Sequence, residues 1–286
     1  FELNFHFYAD DTQIYSSAKT NELPSLINRF EKCVNCVKVW MNENRLKLND
    51  DKSEALLAGR KTVLSTVSET GIKIGGSEIS FSPFVKNLGV FIDSFLSMEK
   101  HVNHKIKTIY LELRQINQIR NLITKEIASI LVNSKILSKL DYCNSLLANI
   151  TKDKVQSLQC AQNNAARLVC KKGKFSSASP LLNDLHWLPV EKRIIYKICC
   201  IVFKYFHGTG PKYIEQCLNT YTPKRSLRSS DDHTVLVKPI MSLMIGNQSF
   251  NFAGPQIWNS LPKNIRSIST LNNSNPTSKH IFSHFD

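Results

Sequence analysis

The sequence predicts an α+β chain in which short strands come first and helices follow. Three observations carry that expectation. Before residue 97, short runs alternate apolar and polar residues and are joined by turn residues, the period-2 pattern of half-buried hairpin strands. After it, apolar residues recur every three or four positions, as on amphipathic helices. Charge divides at the same place: residues 1–96 hold 11 Lys/Arg against 12 Asp/Glu, while residues 97–286 hold 26 against 11. All the excess behind the net +14 therefore lies in the helical part. The expected organisation is a hairpin-plus-helix unit over 1–96, a helical region over 97–172 and a helical or mixed module over 173–286.

The first signal is Leu3 to Tyr15. Leu3, Phe5 and Phe7 alternate with Asn4, His6 and Tyr8, and a second β-prone run, Thr12 to Tyr15, follows at once. Only Ala9-Asp10-Asp11 is available to turn the chain, so the reading is a tight hairpin with two carboxylates at its tip. Hard oxygen donors on rigid strands suit Mg²⁺, which keeps several waters and adds substrate phosphates to one or two carboxylates. On those residues alone, ordinary turn chemistry and solvation is the usual explanation of such a pair. The chain begins with Phe rather than Met and enters its first strand within a few residues, from which a fragment lacking an upstream part is expected.

Leu23, Leu26, Ile27, Phe30, Val34, Val37, Trp40 and Met41 predict an amphipathic helix over about 21–44, capped near Thr20 or Asn21. A polar turn with Asp50-Asp51, read as turn chemistry, leads to a strand over Ala55 to Ala58, stopped by Gly59. The hairpin, helix, turn and strand are expected to pack as one helix on a sheet. Gly75-Gly76 between alternating residues 72–79 predicts another hairpin. Val85 to Asp93 reads as a further strand.

Beyond 96, Met98, Val102, Ile106, Ile109, Leu113, Ile116 and Ile119 form one stripe on a helix of about 97–122, with Lys105, Lys107, Arg114 and Arg120 mostly off it. Further helices are predicted from Thr124 to Leu140, Asp153 to Cys170, and Val190 to His207, the last opened by Pro189 and closed by Gly208. Lys171-Lys172-Gly173-Lys174-Phe175-Ser176-Ser177 reads as a basic linker. Together with Lys224-Arg225-Ser226-Leu227-Arg228 it offers the best local candidates for contact with a phosphate backbone. The alternative is a solvated basic surface with no partner. The tail from Ser267 is polar and expected to fray. Cys33-x-x-Cys36 has metal-like spacing but lacks a second pair, so the eight cysteines are expected to be reduced and buried. No apolar run reaches the ~18 residues of a membrane span, and no signal peptide is apparent, so a cytoplasmic or nuclear protein is expected.

Several blocks resemble one family. Phe7-Tyr8-Ala9-Asp10-Asp11-Thr12 is similar to the Tyr-Ala-Asp-Asp box of reverse transcriptases of non-LTR (LINE-type) retrotransposons. Leu46-Lys47-Leu48-Asn49, followed by Lys52-Ser53-Glu54, resembles motif D of these polymerases, and Leu88-Gly89-Val90-x-Ile92-Asp93 resembles motif E. Residues 140–147, 158–168, 185–190, 225–230 and 252–262 resemble, in order, blocks downstream of the polymerase palm. The resemblance implies the end of a right-hand polymerase palm over 1–96, a thumb-like region and a downstream module. It implies Asp10 and Asp11 as catalytic ligands of Mg²⁺ (or Mn²⁺), and Lys52 near the departing pyrophosphate, against the alternative of a surface lysine in a turn. It implies Leu88, Gly89 and Val90 as a primer grip. Lys105, Lys107, Arg114, Lys171, Lys172, Lys174, Arg225 and Arg228 would contact nucleic acid. The implied activity is RNA-directed DNA polymerisation on an RNA template with a DNA primer or hybrid duplex and deoxynucleoside triphosphates. No carboxylate here matches the family's motif A aspartate, so the chain alone is expected to be inactive, and the alternative is a non-catalytic nucleic-acid-binding remnant. Neither reading fixes an oligomeric state.

Overall fold

A computed structural model describes residues 1–74, 76–222, 234–241 and 244–267. Arg225, Arg228 and the tail beyond Ser267 lie outside the described residues. Helices and small antiparallel hairpins make an α+β chain of two compact units, Phe1–Lys100 and His101–Asp286.

The first unit contains β1 (Asn4–Tyr8), β2 (Asp11–Tyr15), α1 (Leu23–Glu43), the short α2 (Lys61–Leu64), β3 (Gly71–Ile74), β4 (Ser77–Ser80), β5 (Phe84–Asn87) and β6 (Val90–Asp93). The strands pair only as neighbours, β1–β2, β3–β4 and β5–β6, so three hairpins stand where one sheet was expected. α1 packs on β3, where the Glu31 carboxylate accepts a hydrogen bond from the Lys73 amide at 2.8 Å. Only Leu23 and Leu26 of its apolar stripe are buried, and Trp40 is 57% exposed.

Two strand expectations are corrected. Residues 55–58 form no strand: Ala55 makes one parallel bridge to Phe81, and the Gly59 amide donates to the Ser94 carbonyl. Four residues bonded at their ends to different partners cannot build a ladder. Residues 85–93 are not one strand, because Leu88 and Gly89 both take positive φ, 45° and 81°. That is the turn of a two-residue type I′ hairpin, closed by the pair Asn87↔Val90.

The second unit is helical. It contains most of α3 (Glu99–Ile119), then α4 (Lys125–Val132), α5 (Ser138–Asp141), α6 (Lys152–Val169), α7 (Ser179–Asp184), α8 (Val190–Phe206), α9 (Lys212–Glu215), α10 (Phe250–Asn259) and α11 (Lys263–Arg266). The Thr124 hydroxyl caps α4 by accepting from the Ile127 amide, and a π turn over Asn133–Leu137 joins α4 to α5. The buried faces are those the periodicity marked, including Val102, Ile109, Leu113 and Ile116 on α3 and Ile194, Ile198 and Val202 on α8. Ala161, Ala165 and Ala166 on α6 are fully buried, which lets neighbouring helices approach closely.

The sequence blocks meet in this core. The Gln162 amide donates to the Leu188 carbonyl at 2.8 Å, and the Val190 amide donates to the Gln159 side chain at 2.8 Å, so α6 holds the turn that starts α8. Arg193 on α8 pairs with Asp141 at 2.8 Å. Further along, the Trp258 indole donates to the Thr234 carbonyl, and Asn259 bonds both backbone groups of Leu236.

Two basic residues expected at the surface are buried. Lys105 is 5% exposed and its ammonium donates to the Tyr142 carbonyl at 2.6 Å, so it is withdrawn from the candidate phosphate contacts. Arg120 is 6% exposed and donates to the carbonyls of Ile123, Leu168 and Val169, a charged cap on the C-terminal end of α6. All eight cysteines are free, but only Cys199 is buried and Cys36 and Cys160 are exposed, which corrects the expectation of buried thiols. Among the described residues no helix is long and apolar enough to cross a membrane.

Burial sets a pH dependence. Desolvation, with the proximity of Lys105 and His104, brings His101 down to about 4, and desolvation, partly opposed by Cys143 and Asp141, brings Lys105 down to about 8. Both groups therefore hold fewer protons folded than unfolded between the two pKa values, so stability rises with pH across those windows. We expect urea unfolding to gain up to about 3 kcal/mol between pH 4 and 6.5 and a similar amount between pH 8 and 10.5. The first step should vanish in His101→Leu and the second in Lys105→Met.

Candidate functional site

In the first unit the carboxylates sit at the end of a hairpin. The register Tyr8↔Asp11 leaves Ala9 and Asp10 as the two turn residues, so Asp11 opens β2 instead of belonging to the turn. Ala9 takes φ 52°, a left-handed conformation that an alanine adopts at a cost, of order 1–3 kcal/mol where it is strained. Asp10 and Asp11 are exposed, and among the described residues neither makes an ion pair or side-chain hydrogen bond. Tyr8, Phe5 and Phe7 are also exposed, with the two phenylalanine rings 5.2 Å apart.

A second hairpin tip lies beside this one. Gln13 donates its side-chain amide to the Asn87 side chain at 2.7 Å. Gln13 is two residues beyond Asp11, hence on the same face of β2, and Asn87 precedes the Leu88-Gly89 turn directly. One residue earlier on β5, the Lys86 amide donates to the Glu54 carboxylate at 3.2 Å. Lys52 stands two residues before Glu54, exposed at the end of a 3₁₀ turn, Asp50–Lys52. The Tyr8–Asp11 hairpin and the Lys52–Glu54 stretch are thus each bonded, through Gln13 and Glu54, to the β5–β6 hairpin, which carries the third stretch, Leu88-Gly89-Val90. Val90 is 4% exposed and anchors it, while Gly89 is exposed at its tip.

The donor set at β1–β2 is small. Among the described residues no group of three or more His, Cys, Asp or Glu side chains converges. Two adjacent carboxylates fit a hard cation that takes its remaining ligands from water and phosphate oxygens, as Mg²⁺ does, and fit a thiol- or imidazole-bound metal poorly.

The second unit carries a basic cleft of about 360 Å³. α3 supplies Tyr110, Arg114 and Asn117, at the spacing that shares one helix face. α6 supplies Asn164 and Arg167, and the chain after it supplies Lys172 and Lys174. Among the described residues no carboxylate lines it. Its wall is fixed by a polar chain: Asn164 donates to the Tyr110 hydroxyl at 3.0 Å, and Arg167 donates to Asn164 at 3.0 Å and to the Ser176 carbonyl at 2.9 Å. The Lys172 amide donates to the Arg167 carbonyl at 2.9 Å, closing α6 through Lys171 in the left-handed conformation. Leu113 and Leu168 form the apolar floor.

Of the basic candidates, Arg114, Lys172 and Lys174 come together here from stretches far apart in sequence. Lys107, exposed, continues the same face of α3 two turns earlier, and Lys171 is exposed without lining the cleft. Arg167, Asn164, Asn117 and Tyr110 were missed. The available signal was that Asn164 and Arg167 stand three apart at the end of a helix leading into a lysine run.

No family model, curated protein or solved structure matches the chain.

Proposed function

We propose that the chain is the C-terminal portion of an RNA-directed DNA polymerase of a non-LTR retrotransposon, with residues 1–96 ending its palm, 97–172 forming a thumb-like region and 173–286 a downstream module. The reading rests on the Gln13–Asn87 bond, which joins the Tyr8-Ala9-Asp10-Asp11 hairpin to the Leu88-Gly89-Val90 turn on the Asp11 face of β2. Asp10 and Asp11 supply hard oxygens with no competing cation among the described residues. Lys52 supplies a positive charge, or a proton, for a leaving pyrophosphate. Leu88, Gly89 and Val90 present backbone to a primer end. Magnesium held there with substrate phosphates would activate the primer hydroxyl and neutralise charge on the triphosphate. The implied partners are an RNA template, a DNA primer and deoxynucleoside triphosphates.

Two carboxylates make half of such a site, so the isolated chain is expected to be inactive. Purified chain with Mg²⁺, poly(rA)/oligo(dT) and dTTP should incorporate nothing above background; incorporation lost in Asp10→Ala would overturn that expectation. Mn²⁺ added to labelled protein should broaden the amide signals of Ala9, Asp10 and Asp11 first, and less so in Asp10→Asn. Unselective broadening would count against the metal hairpin.

The basic cleft favours a second reading, nucleic-acid binding without catalysis. Arg114, Arg167, Lys172 and Lys174 face one opening with no carboxylate among them, a charge pattern suited to a phosphate backbone. The two readings are compatible in one chain.

A further inference from the structure

We infer that the basic cleft of the second unit takes single-stranded nucleic acid, with Phe175 as the platform on which a base stacks. The inference rests on reading the cleft as a phosphate site and adds the strandedness of its ligand. Phe175 is 96% exposed, although a phenylalanine ring ordinarily gains by leaving water. Its backbone is fastened on both sides: the Ser176 amide donates to the Gly173 carbonyl at 3.0 Å, and the Ser176 carbonyl accepts from Arg167. The exposed ring therefore extends from a segment bonded to the cleft wall.

The ring also adjoins a cation of the cleft. Lys174, which lines it, holds its ammonium 5.9 Å from the centre of the Phe175 ring. Cations that follow a phosphodiester chain, beside an aromatic face open to solvent, are the two elements of sequence-tolerant single-strand binding. In a duplex the base faces are covered by their neighbours, so a ring of this kind has nothing to stack on except an unpaired base. Asn117, Asn164 and the Tyr110 hydroxyl add polar groups able to meet sugar or base edges. A cleft of about 360 Å³ lies at the small end of ligand pockets, suited to one nucleotide of a longer strand.

The test is fluorescence anisotropy of the full chain with a labelled oligo(U) strand, a blunt duplex of equal length, and free UMP as competitor. Oligo(U) should bind more tightly than the duplex, and UMP should compete only at far higher concentration. Phe175→Ala should weaken oligo(U) binding about tenfold and leave duplex binding and melting temperature unchanged. Phe175→Trp should keep the affinity, its indole emission changing with oligo(U) and not with duplex. Equal loss for both ligands, or no loss for either in Phe175→Ala, would overturn the stacking role while the phosphate site stands, provided Arg114→Ala still weakens binding. UMP as tight as oligo(U) would replace the strand site by a mononucleotide pocket. No binding of strand or duplex at low salt would remove the phosphate reading itself and the inference with it.

Discussion

Arg114→Ala combined with Lys172→Ala is expected to lower affinity for a poly(rA)/oligo(dT) template–primer with a single-stranded overhang by about 100-fold at low salt. Both side chains are exposed and line the cleft from different elements, Arg114 from α3 and Lys172 from the segment after α6. Each loss removes one phosphate contact, and a charge-assisted hydrogen bond in a partly enclosed cleft is worth about a factor of ten or more. Neither residue makes a side-chain hydrogen bond or ion pair within the chain among the described residues, so the melting temperature should move little. Arg114→Lys keeps the charge and should recover most of the affinity, losing only the planar fork that can grip phosphate at two points. Arg167 is less suitable for this test, because its side chain also fastens Ser176 and Asn164.

Arg120→Met is expected to act on stability and binding together. The buried guanidinium gives hydrogen bonds to three carbonyls, those of Ile123, Leu168 and Val169, at 2.6 to 2.9 Å. Methionine fills much of the volume but leaves the carbonyls in an interior without donors. The expected cost is about 3–5 kcal/mol by urea unfolding, well above that of an ordinary surface substitution. Leu168 floors the cleft and the Arg120 bonds fix the end of α6, so the same change should loosen Arg167 and Lys172 against Arg114. Nucleic-acid binding should weaken in Arg120→Met even where the protein is still folded. A variant as stable as the parent would show that the three bonds contribute little.

The contrast between these residues marks what sequence reasoning reaches. The hairpin at Leu3–Tyr15, α1, α3, α6 and α8 were legible to within a few residues, because their signals are local. They are alternation, a 3.6-residue stripe, a threonine cap before α4, and the Pro189 and Gly208 that bracket α8. Residues 55–58 were misread because a strand needs a partner, and that partner is set by distant chain. Residues 85–93 were misread because an apolar run hid a turn, which Leu88 and Gly89 make by both taking positive φ. Lys105 and Arg120 looked like surface charges, since nothing nearby in sequence reveals the carbonyls of Tyr142, Leu168 and Val169 that receive them.

The candidate sites divide in the same way. Asp10 and Asp11 were legible because both lie in one short stretch with an aromatic frame. The basic cleft was half legible: Arg114, Lys172 and Lys174 stood out as charges, but their convergence depends on how α3 packs beside the end of α6. Arg167 stayed hidden in a helix pattern that packing alone explained.

Binding of a nucleic-acid strand in the basic cleft is electrostatic, and salt tests it. Log affinity for a single-stranded overhang, plotted against log salt concentration, should fall with a slope of about −3, as expected for four cations on a single strand, and by about 1.4 less steeply in Arg114→Ala/Lys172→Ala. A slope near zero, or one that the double substitution leaves unchanged, would contradict binding through this cleft.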